Sequence, residues 1–292
     1  DKKGRAALEM RLCEDVAKDQ EALVCYGGGE GDSVPNDRLL LDYGFASGAN
    51  EADDVLLFAS LDEVIRWYLD EVPVREDEAV AVGAVGEAGV GIVNEFQRQL
   101  VAGGDVEPDF FKRPAAGRLA VLHGGNVDSR IVLCIGNMER ARRQLPPAFE
   151  LEAAELGAAR ALVRRRAVGV LFDRFRSPLM RDLAILSGGV RDPDTWDEAM
   201  RDPDRPEREV LERIHFAELR IGYERILGAL HDKGVVPDRL GGWSDRHGDD
   251  VAPPPVVWGT SEWHATMFRA LKKMILVDAI INMIPESEMV GP

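Results

Sequence analysis

The sequence predicts an α+β protein, with a strand-containing amino-terminal part followed by a mostly α-helical remainder. Three observations carry this. The first 58 residues break into short apolar stretches punctuated by glycine, proline and charge. Beyond Pro147 apolar residues recur at three- and four-residue steps. Two breaks rich in Pro, Asp and Gly, Arg191–Pro206 and Gly241–Pro255, separate the helical stretches. The reading divides the chain into residues 1–58, 59–240 and a linker with an apolar carboxy-terminal helix over 241–292.

In order, Leu8, Met10 and Leu12 and then Ala22–Tyr26 read as two strands joined by the polar turn Lys18–Glu21. Asn36 opens a short helix that stops at Gly44. Leu56–Phe58 reads as a strand, and Ser60-Leu-Asp-Glu63 as a capping box starting the next helix. Val80–Gly91, rich in small residues, fits either strands or a loosely ordered insert. Leu151, Ala154, Ala158 and Leu162 mark one later helix, and Val210, Ile214, Ala217 and Ile221 another.

Near the carboxy terminus Trp263, Met267, Leu271 and Met274 share a helical face. The run Ile275–Ile284, broken by Asp278 and Asn282, is about half of the ~20 residues a bilayer span needs. Two readings stand for it: a core helix, or a docking surface for a partner protein over residues 262–284.

Composition narrows the function classes. At 292 residues with 45% apolar content there is material for two ordinary cores. Net charge is 36 − 52 = −16, which disfavours a broad nucleic-acid surface and suits a basic protein partner. Cys13, Cys25 and Cys134 are too far apart for a zinc cluster and read as reduced, partly buried thiols. The five histidines have no metal-ligand spacing, so no metal is expected, and Ser244, Asp245 and His247 are too close in sequence to face one another as a triad. Arg164–Arg166 reads as a solvated helix face or a surface for an acidic partner. The amino terminus shows no apolar core of signal-peptide length.

The stretch Tyr26-Gly-Gly-Gly-Glu-Gly31 invites a phosphate-loop reading, but its spacing fails. Counted from Gly27 the third glycine of a dinucleotide fingerprint falls on Asp32, and counted from Gly29 it falls on Val34. The Gly-Lys-Ser/Thr of a Walker loop is absent. Glu30 and Asp32 would also repel an anion.

What remains is a strand closing in Tyr26-Gly27, a turn, and then Asn36-Asp-Arg-Leu-Leu-Leu-Asp-Tyr-Gly-Phe45. This resembles the end of the catalytic core of SET-domain protein lysine methyltransferases, in the Rubisco large-subunit methyltransferase-like branch. Ser177–Ser187 and Leu219–Leu227 resemble segments of the helical substrate-binding domain that follows the SET domain there, so the likeness covers roughly residues 10–233. On that resemblance residues 1–58 are the carboxy-terminal part of a β-rich SET domain and residues 59–240 the helical substrate-binding domain.

The resemblance implies methyl transfer from S-adenosylmethionine to a lysine of a protein substrate, without a metal. Tyr26 corresponds to the catalytic tyrosine that orients amine and methyl. Tyr43 and Phe45 correspond to the aromatic wall of the lysine channel. A free lysine titrates near ~10.4, so such a channel must favour the neutral amine by desolvating it. It also implies a chloroplast address, where many members of the branch reside, with the cytoplasm as the other expectation. The Gly-rich cofactor loop and Asn-His dipeptide that the family carries before its last strand are not in this sequence. The chain therefore reads either as the carboxy-terminal portion of such an enzyme or as a catalytically silent relative serving as a scaffold subunit.

Overall fold

In the computed structural model the described residues are 34–48, 50–73, 119–175, 177–188, 204–234 and 256–285, with a few isolated positions besides. The strands expected over residues 8–26, the glycine-rich stretch, Tyr26, Cys13 and Cys25 lie outside them, as do most of Val80–Gly91 and of the two breaks.

Helix α1 runs Asn36–Tyr43 and ends where expected, on Gly44, whose left-handed backbone (φ 81°) lets its N–H reach the Leu40 carbonyl. Strand β1 is Asp54–Phe58 and helix α2 is Leu61–Glu71. The capping box is displaced by one residue on its return arm. Ser60 accepts from the Glu63 N–H at 3.2 Å, while the Glu63 carboxylate takes the N–H of Ala59 at 2.7 Å.

Among the described residues, strands β2 (Leu119–Leu122) and β3 (Asn126–Val127) join β1 in an antiparallel sheet of order β1-β2-β3, with Val55 opposite Val121 and Val121 opposite Val127. A tight 3₁₀ turn, His123–Gly125, joins the last two. The alternation in Leu119–Leu122 is hidden because Leu119, Ala120 and Val121 are all buried, a pattern that periodicity does not separate from helix.

Among the described residues, five further helices follow this sheet's strands in the chain. They are α3 (Ser129–Arg142), α4 (Ala153–Arg174), α5 (Leu179–Ser187), α6 (Glu207–Asp232) and α7 (Ser261–Asn282). Helix α3 was not expected. Its apolar residues cover nearly every side, with Ile131, Leu133, Cys134, Ile135 and Met138 all buried, so no amphipathic stripe announces it. Cys134 is free and enclosed, and burial pushes its thiol up to about 12.

Helix α3 packs along α4, α5 along α6, and α7 touches α1, α4, α5, all three strands and the 3₁₀ turn. The apolar run Ile275–Ile284 is therefore core. Trp263, Leu276 and Val277 are fully enclosed, and each such side chain contributes roughly 1.5–3 kcal/mol by leaving water. This corrects the docking surface expected over residues 262–284: its apolar face is covered by the chain's own helices and sheet. One hydrophobic cluster extends from Ala46 to Ile284, so β1 and α7 share a core. The small sheet and the helices make an α+β fold.

Arg164–Arg166 is also corrected in part. Arg166 donates to the Leu57 carbonyl at 2.8 Å and to Glu63 at 2.9 Å, with its guanidinium 4.7 Å from the Phe58 ring centroid. Arg165 pairs with Glu71 at 2.5 Å. These arginines fasten α4 to β1 and α2. Among the described residues no helix is long and apolar enough to cross a membrane.

Candidate functional site

The core helix α7 carries two adjacent lysines into the interior. Lys273 is fully enclosed and donates to Asp182 at 2.6 Å and to Ser177 at 2.8 Å, both from the Ser177–Ser187 segment. Burial holds its ammonium below the usual lysine range, against the opposing pull of Asp182. Lys272, 3% exposed, points to the other side. Its Nζ lies 2.6 Å from Asp53 Oδ1, 2.7 Å from Asp37 Oδ2 and 2.6 Å from the Asp54 carbonyl.

Asp53 in turn holds the start of α1. Its carboxylate accepts the Asn36 backbone N–H and side-chain amide, each at 3.0 Å. Asn36 donates to the Ser47 carbonyl and accepts the Ser47 N–H, also at 3.0 Å, and its Oδ1 accepts the Asn50 amide at 3.2 Å. The backbone at Ser47 is thus tied, through Asn36 and Asp53, to a lysine on the central helix. Desolvating such charges costs several kcal/mol per ion, which the partners roughly offset, so the chief consequence of the network is register. It fixes where the segment Phe45–Gly48 stands.

That segment forms one wall of a cleft with two lobes. The larger, about 710 Å³, is lined by Phe45, Arg208, Glu212, Trp258, His264 and Met267 among others. Glu212 accepts the Trp258 indole N–H at 2.7 Å and the Arg208 guanidinium at 3.1 Å, so its carboxylate is fixed in place. Burial lowers the His264 pKa, opposed by Glu212 and assisted by Arg208. The imidazole is therefore biased toward its neutral form.

The smaller lobe, about 320 Å³, shares Ser47, Gly48 and His215 with the first and adds His123, Tyr223 and Asp278. Tyr223 donates to Asp278 Oδ1 at 2.7 Å. Burial raises the Asp278 carboxyl above the usual carboxylate range, opposed by the Tyr223 hydrogen bond and the charge of His123. Burial and then the neighbouring Asp278 charge raise the Tyr223 phenol. The pair is thus a hydrogen-bonded phenol and a carboxyl that holds its proton more tightly than a free one.

His123 reaches this lobe because Gly125, at φ 77°, lets the turn lie directly on α7. A Cβ at Gly125 would stand 2.5 Å from Ala279 N. Of the residues expected at a site, Phe45 is half-buried in the cleft wall. Tyr43, at the end of α1, is 54% exposed, with its ring centroid 6.4 Å from that of Phe45. Tyr26 is outside the described residues, so its meeting with Tyr43 is not part of this geometry.

Asp53, Lys272, Tyr223 and Asp278 were missed by sequence reasoning. A signal for Lys272 existed: a charged doublet set inside an otherwise apolar helical face. Tyr223 and Asp278 are 55 positions apart and carry no local signal. Among the described residues no group of three His, Cys, Asp or Glu is placed to hold a metal ion. Comparison of the chain with protein-family models, with curated proteins and with solved structures gave no match.

Proposed function

We propose that this chain is a SET-type protein-lysine N-methyltransferase, or the carboxy-terminal portion of one, and that the cleft beside Phe45 receives the substrate lysine. The observation that carries the reading is the placement of the Tyr-Gly-Phe segment. Tyr43 and Phe45 present neighbouring rings at the end of α1, and Phe45 forms part of the wall of a cleft large enough for a side chain and part of its backbone.

The residues fit an alkylamine. Phe45 and Trp258 offer aromatic surface to a methylene chain, and Glu212, anchored by Trp258 and Arg208, offers a carboxylate to an ammonium on entry. Phe45 is also the kind of ring on which a sulfonium cation packs. S-adenosylmethionine would supply the methyl group to be transferred. The chain's own part is alignment: the aromatic walls exclude water, which favours the neutral amine, and they narrow its approach to one direction. The acidic surface of a chain with net charge −16 favours a basic protein substrate.

The test is turnover of radiolabelled S-adenosylmethionine with a lysine-rich protein acceptor, comparing wild type with Tyr26→Phe. Sharply lower turnover with an unchanged melting temperature supports the reading. Equal turnover removes Tyr26 from catalysis, and no turnover in the wild type favours a scaffold subunit.

A further inference from the structure

A second cavity, of about 640 Å³, shares no lining residue with the cleft and lies among β3, the first turns of α3 and α4, and the end of α7. Its walls are mostly apolar: Val127, Val132, Leu133, Leu151, Leu156 and Phe149. Leu151 is seated against bare backbone at Gly136, where any Cβ would collide with it, so this wall is set by packing. Phe149 remains 41% exposed at the edge.

The cavity carries one charge. Arg160 follows Leu156 by one helical turn on α4, so it stands beside the apolar lining. Arg140, Arg142, Arg143, Arg165 and Arg166 on the same pair of helices all meet carboxylates. Arg160 has no carboxylate partner among the described residues, and none of the cavity's described lining residues is acidic. The remaining polar groups are uncharged. Asn282, for instance, is oriented by donating to the Gly124 carbonyl at 3.1 Å. In a chain with 52 acidic residues, a largely apolar cavity whose described lining holds one cation and no anion favours an anionic ligand over a cationic one.

We propose that this cavity binds a small molecule with an apolar body and a single carboxylate, the body against Leu151 and Leu156 and the carboxylate paired with the Arg160 guanidinium. The volume falls in the usual range for small-ligand sites, and a guanidinium matches a carboxylate through two parallel hydrogen bonds. The inference is independent of methyl transfer.

Calorimetric titration of the full chain with octanoate, octanol and octylamine tests it. Octanoate binding with no detectable octylamine binding is expected. Arg160→Gln, at an exposed position, should weaken octanoate by about tenfold and leave octanol unchanged. Phe149→Ser should weaken octanoate and octanol together. Absence of octanoate binding, equal affinity for octylamine, or undiminished octanoate affinity in Arg160→Gln would each overturn the proposal.

Discussion

Lys272 Nζ lies 2.6 Å from Asp53 Oδ1, joining the middle of the last helix to the loop before the first strand across 219 positions of sequence. The contact belongs to a chain of polar groups from Lys272 through Asp53 and Asn36 to the Ser47 backbone. Through it, a buried charge on α7 is linked by hydrogen bonds to the segment that carries Phe45.

Replacing one member of a buried pair leaves the other uncompensated. Lys272→Met should therefore lower unfolding free energy by about 3–5 kcal/mol, read from urea denaturation. A loss below about 1 kcal/mol would show that Asp53 finds water or another partner easily, and the network would not be what holds the segment.

Gly125→Ala places a methyl group 2.5 Å from Ala279 N, at a backbone angle that side chains rarely adopt. The expected loss is at least about 2 kcal/mol, combining overpacking with the left-handed conformation. A neutral result would mean that the turn carrying His123 lifts freely from α7.

The Asp278 carboxyl has a folded-state pKa raised above its ordinary 3.8 by burial. The folded state thus holds this proton more tightly than the unfolded chain, and the stability it contributes declines as pH rises from about 3.8 through the folded value. Asp278→Asn keeps an acceptor for Tyr223 and has no charge to bury. Its stability relative to wild type should rise between acidic and neutral pH, measured by denaturation at both. A difference that stays flat with pH contradicts the raised carboxyl.

Much of the local structure was legible because its signals are local. Asn36 and Gly44 bound α1, Ser60 and Glu63 start α2, and the three- and four-residue steps mark α4 and α6. Helix α3 and strand β2 were not, since both are buried on most sides and lose the alternation that distinguishes them. Of the cleft lining, sequence reasoning named Phe45 alone; Tyr43 stands beside it, largely exposed and not among the lining residues. The Lys272–Asp53 and Tyr223–Asp278 pairs are made by packing of distant elements, and the apolar run of α7 reads from sequence first as a core helix and second as a partner's surface, of which the fold realises the first.

Titration of S-adenosylmethionine into the full-length protein, wild type and Phe45→Ala, tests the central claim most directly. The account predicts micromolar binding to the wild type and a loss of roughly tenfold or more in the variant, because the ring proposed to pack against the sulfonium cation is removed. No heat with the wild type, or equal affinity in the variant, contradicts it.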